Sequence, residues 1–592
     1  MTQKYRPDPH SCFNPREPRV AYISLVAEVD FVNNRLHCTV VLTLTKQTEL
    51  PTSCLTLDTS GLDIQEITVL EKPAIWKLDE GKTGLDSGLR ITLPRGTRRI
   101  TITYTTHSDA SALQWVTPEQ TFGKKRAAVY SQCQSTHARS IVPCQDTPMA
   151  RIRWDASFTF PTDMRSITAG ELISREDHDG WATERWMQGR PLPSYLLGFY
   201  IGRLESKYIG PRSQVWAEPE IVDHATDEFS ELERIISTTE SVFGTPLPCG
   251  RIHVLIMPPN FPYGGMENWG VPFVTATILT KRRDKSLIGT LVHEIVHMWT
   301  GNMVTYASLE HFWLNEGWTR FIEILVLEML YGHEVAELNA TIGWRVLETE
   351  LKRLPSKLTN LRTNLAGVDP ESTLTQIAYE KGSCLLRLLM NTVGRERFFE
   401  FIRRYVLKFQ YQSITTEQFL DFFEAQFPGI LASVNAAQWV YEPGLPSNAP
   451  KPTSTKLAAI ESLSISVPDE ATFSSWSAVE KKLYLEQVFD HATLEMVAEL
   501  DRRFNLKSTG NYEVDVAFLA LAARYGYQEA FPEIEQLVAS VGRGKYLKRL
   551  YRLTVTDPTT RDVAYSWFEK YGPSYHPIIR REIENLFKNQ TS

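Results

Sequence analysis

Residues 293–321, HEIVHMWTGNMVTYASLEHFWLNEGWTRF, restrict what this chain can fold into more than any other segment. Three histidines and three glutamates sit there among tryptophan, leucine and valine, although the whole chain has only 13 histidines in 592 residues. Unpaired charges in an apolar segment are costly, so these groups must be paired with one another or with a metal. His293 and His297 are four residues apart, which on a helix puts both imidazoles on one face, a turn apart. One zinc ion about 2 Å from each ring nitrogen can bridge them. Glu294, beside the first histidine, is placed to take a proton from water activated at that metal. A catalytic zinc also needs a third protein ligand and one open position. Glu316, on the next predicted helix, reaches the same point if the two helices run antiparallel. The alternative is a solvated His-Glu-His face on a surface helix, and the surrounding Leu, Val and Trp argue against it.

A chain of 592 residues is too long for one hydrophobic core, so two to four domains are expected. The periodicity implies a multidomain α+β protein. Residues 1–205 read as an antiparallel β domain: VDFVNNRLHCTVVLTL holds an Asn-Asn turn, and LRITLPRGTRRITITY reads as a hairpin turning at Pro94–Gly96. Residues 206–445 carry long helical segments around the metal motif, the second ending at Gly332. The Pro-rich stretch EPGLPSNAPKPTST reads as a linker, placed at 446–465. Residues 466–592 show apolar residues at helical spacing, such as Leu485, Val488 and Phe489, and read as an all-helical domain.

The net charge of −7 gives no basic footprint for nucleic acid or anionic lipid. No uncharged apolar run approaches the ~18 residues of a membrane span. The polar, proline-broken start MTQKYRPDPHSCFNP has no signal-peptide core. Seven scattered cysteines without a CxxC argue against a disulfide framework and against cysteine-ligated zinc. A cytoplasmic protein, monomeric, with no nucleic-acid or membrane partner, is expected.

HExxH with a glutamate nineteen residues after its second histidine resembles the gluzincin peptidases. PYGGMENWG (262–270) looks like the GGMEN motif of the zinc aminopeptidases of family M1. Further segments resemble the branch of that family containing leukotriene A4 hydrolase and aminopeptidase B. These are CQSTHARSIVPCQDTP (133–148), AYEKGS (378–383), GRGK (542–545) and PSYLLGFYIGRLES (193–206). Together they span nearly the whole chain in the family's order.

The resemblance implies an N-terminal β domain, a thermolysin-like catalytic α/β domain and a C-terminal all-α, repeat-like domain. It implies one zinc per chain on His293, His297 and Glu316, with Glu294 as general base and Tyr379 as donor to the developing oxyanion. Peptides with a free N-terminus are the implied substrates. Glu267 and Gln134 would bind the α-ammonium, and Gly264, Gly265 and Met266 would lie along the substrate backbone. Arg543 and Lys545 would hold the carboxylate of a short peptide. Glu323, seven residues beyond Glu316, is either a partner of a zinc-bound imidazole or a surface glutamate.

One departure bears on substrate choice. Aligning on Tyr379 puts Glu371 where the leukotriene A4 hydrolases have an aspartate used for epoxide hydrolysis, and Leu374 where they have a second tyrosine. Peptidase activity with weak or absent epoxide hydrolysis is therefore expected, with a bifunctional enzyme as the alternative. A non-catalytic peptide-binding scaffold would have lost a ligand, the base or the tyrosine, and none is missing.

Overall fold

A computed structural model of the chain describes residues 8–79, 87–280, 284 and 286–588. The first seven residues of the polar start MTQKYRPDPHSCFNP lie outside the described residues.

The N-terminal part is built on an eight-stranded sheet, beside a three-stranded and a four-stranded one. Val20–Asp30 and Arg35–Leu44 pair antiparallel across the Asn-Asn turn, where Asn34 takes a left-handed φ of 55°. Apolar residues alternate along both strands, so one face enters the core and the other stays partly open. One pairing departs from the antiparallel expectation: Val20–Asp30 runs parallel to Ile152–Pro161.

The hairpin expected at Pro94–Gly96 does not form. Ser87–Pro94 pairs with Thr52–Thr59 and Trp76–Asp79 in the three-stranded sheet. Arg99–Thr105 pairs with Arg35–Leu44 and Asp63–Val69 in the large one. Thr48 and Thr97 hydroxyls both donate to the Pro94 carbonyl (2.6 and 2.7 Å). They tie the chain into a corner that passes it from one sheet to the other. The alternation that suggested a hairpin is real, but each strand buries its apolar face against distant partners.

The central part opens with a five-stranded sheet ordered Glu205–Gly210, Ser213–Ala217, Ile252–Ile256, Phe273–Val274 and Gly265–Met266. Its last strand is an edge formed by the GGMEN segment. Helices follow, and the apolar core runs on continuously from the N-terminal sheets into them. A second core belongs to the C-terminal helices, from Thr455–Ser462 to Pro577–Lys588. The linker expected over 446–465 is irregular only at first. Thr455–Ser462 is a helix capped by the Ser454 side chain, and it buries Leu457 and Ile460. Among the described residues no helix is long and apolar enough to cross a membrane.

Candidate active site

The helix Ile288–Val296 buries Ile288, Leu291, Val292, Ile295 and Val296, the i, i+3, i+4, i+7, i+8 stripe of a helix packed against a core. His293 and Glu294 sit on this helix and His297 ends it. Gly301, at φ 128°, leaves room for the turn beyond: a Cβ there would lie 2.5 Å from His297 Nδ1. That nitrogen faces the Thr300 carbonyl at 2.9 Å.

Glu316 lies one turn into Trp313–Tyr331, a helix buried on nearly all sides that ends at Gly332. The residue after it, Gly317, packs against the segment carrying Tyr379. A Cβ on Gly317 would stand 2.9 Å from Gly382 Cα and 3.0 Å from the Ala378 carbonyl oxygen. Only a pair of glycines permits this approach. Tyr379 itself sits in a π-helical turn, Ile377–Lys381, a distortion frequent at functional sites. Its ring stacks at 5.9 Å on His293 and meets Phe312 edge-on at 6.1 Å.

Nε2 of His293 and of His297 each lie 3.3 Å from Glu316 Oε2. Ligand bonds of about 2.0–2.1 Å in tetrahedral geometry put donor atoms about 3.3 Å apart, so the donor set fits a zinc ion. Each imidazole is fixed from behind, His293 Nδ1 by Glu323 (3.0 Å) and His297 Nδ1 by the Thr300 carbonyl and the Thr319 hydroxyl. Such contacts set the tautomer that leaves Nε2 free to bind metal. Glu323 is therefore no surface glutamate; it is buried against the site. Burial alone would raise the Glu316 carboxyl, but His297 and His293 outweigh it and bring its pKa down to about 2.

Glu294 is buried, and its Oε2 has no hydrogen-bond partner among the described residues. Burial pushes its carboxyl up to about 8. Gly265 makes room for it, since a Cβ there would fall 2.1 Å from Glu294 Oε1. The edge strand Gly265–Met266 thus runs directly over this carboxylate. Met266 is buried, with Gln132 Nε2 at 3.1 Å from its sulfur. Gln134 Nε2 donates to Glu267 Oε1 (3.0 Å), and the Glu267 backbone carbonyl accepts from Asn302 Nδ2 (2.6 Å). Burial raises the Glu267 carboxyl, with nearby Glu316 adding to the rise and His297 opposing it. The Tyr379 phenol is held well above its ordinary pKa by burial and by Glu316, Glu267 and Glu294, so it stays a donor.

Glu371 lies against the Gln134 segment. Its Oε1 accepts from the Ser135 hydroxyl (2.9 Å) and faces His137 Nε2 (3.0 Å). Arg543 reaches in from the C-terminal helices: its Nη2 would be 3.2 Å from a Cβ on Gly264, while Nη1 donates to Thr277 (2.9 Å) and to Tyr546 (2.7 Å). Lys545 is exposed and holds Glu513 at 2.8 and 3.0 Å. Ser135, His137, Thr300, Thr319, Arg320, Glu380 and Glu513 were not legible in the sequence. They carry no motif and meet the site only through tertiary contacts.

The chain is similar to known proteins over nearly its whole length. Residues 19–196 match the Peptidase M1 N-terminal domain, 228–439 the Peptidase family M1 domain and 476–587 the C-terminal domain of leukotriene A4 hydrolase. The chain is 33% identical to a leukotriene A-4 hydrolase of Xenopus laevis, over 96% of this chain and 97% of that one. It is also 33% identical to a leucine aminopeptidase 2 of Aspergillus terreus, over 98% and 97% of the two chains. A solved structure of yeast LTA4 hydrolase in complex with bestatin superposes with a TM-score of 0.92 at 28% identity, covering 99% of this chain and 98% of that one. On a three-part fold with the donor set of a zinc hydrolase at its centre, the chain belongs to peptidase family M1, the zinc aminopeptidases.

Proposed function

We propose that His293, His297 and Glu316 hold one zinc ion per chain, and that the site removes single residues from the free N-termini of peptides. The observation that carries this reading is the convergence of three donor atoms within 4.8 Å of one another, both histidine nitrogens 3.3 Å from Glu316 Oε2, beside an unpartnered buried carboxylate, Glu294. Zinc, when bound, acts as a Lewis acid on the scissile carbonyl and makes water a usable nucleophile at neutral pH.

The remaining work falls to the protein. Glu294, with its pKa drawn toward neutrality, takes the proton of the attacking water and returns it to the leaving amine. Tyr379 donates a hydrogen bond to the oxygen where negative charge develops, and losing such a donor costs about 2.7–4 kcal/mol of transition-state stabilisation. Glu267 and Gln134 bind the α-ammonium. That cation compensates a carboxylate which burial otherwise disfavours, and so limits cleavage to the first residue. The edge strand at Gly265–Met266 offers its backbone to an extended peptide. Arg543 and Lys545 recognise a C-terminal carboxylate in short substrates.

Hydrolysis of a panel of aminoacyl arylamides, with chelator and then zinc add-back, tests this reading. Chelator-sensitive release of single N-terminal residues is expected. A folded, zinc-loaded protein with no turnover on any member would overturn it. Incubation with leukotriene A4 in the same series should give little dihydroxy product, because Glu371 Oε1 is already engaged by Ser135 and His137. Abundant product would assign the bifunctional role instead.

A further inference from the structure

Behind His293 lies a cation that neither the donor set nor the substrate contacts use. Arg320 follows Glu316 by four residues on the same helix, and its side chain is 11% exposed. Its Nη1 donates to Glu323 Oε1 (2.6 Å), the carboxylate whose other oxygen faces His293 Nδ1. Its Nε donates to Glu380 Oε1 (3.0 Å), and its Nη2 to the Asn339 carbonyl (2.9 Å). Glu380 is the residue after Tyr379 in the π-helical turn. Gly343 leaves the space Glu380 occupies, since a Cβ there would be 2.1 Å from Glu380 Oε2. Two buried carboxylates thus share one guanidinium, and each leads to a different part of the site.

The guanidinium stands between the two arms and is hydrogen-bonded to both. Glu323 and Glu380 are each at most one-tenth exposed. Two carboxylates left there without a positive charge would repel each other and seek protons or water. The planar fork of arginine meets both at once, whereas an ammonium is a single point charge. We propose that Arg320 is a positioning residue that supports both the metal affinity of His293 and the placement of Tyr379. One arm runs from Arg320 through Glu323 to His293, the other from Arg320 through Glu380 to the turn that carries Tyr379. This rests on the zinc aminopeptidase reading above.

The test uses the full chain and the variants Arg320→Met, Arg320→Lys and Glu380→Gln. Zinc dissociation constants come from competition with a chromogenic chelator, and kcat and KM from an aminoacyl arylamide at saturating zinc. Arg320→Met should weaken zinc binding by about 10- to 100-fold, the range typical for loss of a group supporting a ligand. It should also lower kcat at saturating zinc, with KM little changed. Arg320→Lys should restore only part of either loss. Glu380→Gln should lower kcat while leaving zinc affinity within about twofold, because its arm leads to Tyr379 and not to His293. A folded Arg320→Met with parental zinc affinity and kcat overturns the proposal. If that variant does not fold, an Arg320→Lys protein indistinguishable from the parent in both readouts overturns it equally. A parent chain that binds no zinc or cleaves no arylamide would defeat the aminopeptidase reading instead.

Discussion

Glu294 shows how a single side chain acquires its chemistry from its surroundings. An exposed glutamate is ionised at neutral pH and a weak base, whereas burial brings this one to about 8, where proton uptake and release are both feasible. Glu294→Gln keeps the shape and removes the basicity. It should leave zinc content unchanged by metal analysis and lower kcat by about 10²–10⁴-fold, the usual contribution of a general base. Activity equal to the parent would remove Glu294 from that role. The adjacency of Glu294 to His293 was legible in the chain, because both lie in the HExxH stretch. The pocket that tunes the base was not legible, since its near wall is Gly265, twenty-nine residues upstream.

At the scale of elements, the site depends on how closely two helical segments approach. Gly317 and Gly382 let the helix bearing Glu316 touch the turn bearing Tyr379. On an isolated helix Gly→Ala would be stabilising by about 1 kcal/mol. At Gly317 the added methyl meets backbone at 2.9–3.0 Å, and overpacking of that kind costs about 1–3 kcal/mol. Overpacking should win. Gly317→Ala should lower the thermal unfolding temperature and reduce kcat more than zinc content, by parting Tyr379 from Glu316. A more stable, fully active variant would show that the two segments separate without consequence. The helices themselves were legible from periodicity and from Gly332. The strands flanking Pro94–Gly96 form no hairpin, because strand alternation reports which face is buried and not which strand lies alongside.

On the scale of the whole molecule, the C-terminal helices bring Arg543 against Gly264 and Thr277 of the central part. Arg543→Met should raise KM for tripeptides with a free C-terminus by about 10- to 100-fold, equivalent to ~1.5–3 kcal/mol for a hydrogen bond to a charged group. The KM for aminoacyl arylamides, which lack that carboxylate, should stay near the parental value. Equal effects on both substrates would remove the carboxylate contact.

Another contact, between the C-terminal helices and the N-terminal part, should make the molecule sensitive to acid. His576 is fully buried, stacks at 6.5 Å on Tyr130 of the N-terminal part, and has its pKa lowered to about 3. Burial is the main cause, His137 adds to it and Glu371 opposes it. In the unfolded chain this histidine titrates near 6.5. The stability it contributes by staying neutral is complete above that pH and is lost as pH falls toward 3, at up to about 1.4 kcal/mol per pH unit. His576→Asn keeps an acceptor for the Ile578 N–H but does not titrate. Its unfolding temperature should fall less steeply than the parent's between pH 6.5 and 4. Parallel slopes would show that the ring gains its proton without unfolding.

Sequence alone determined the chemistry that lies close together in the chain. The His293–Glu294–His297 spacing and the helical period of the last domain each follow from local geometry that a few residues dictate. Tertiary structure decided everything that depends on two distant segments meeting. It joined Arg320 to Glu380, aimed Arg543 at Gly264, set Glu371 against His137 and parted two strands that looked like a hairpin. The reason is physical: helix period and ligand spacing are properties of neighbouring residues. Burial, pairing and pKa are set by whatever the folded chain brings alongside.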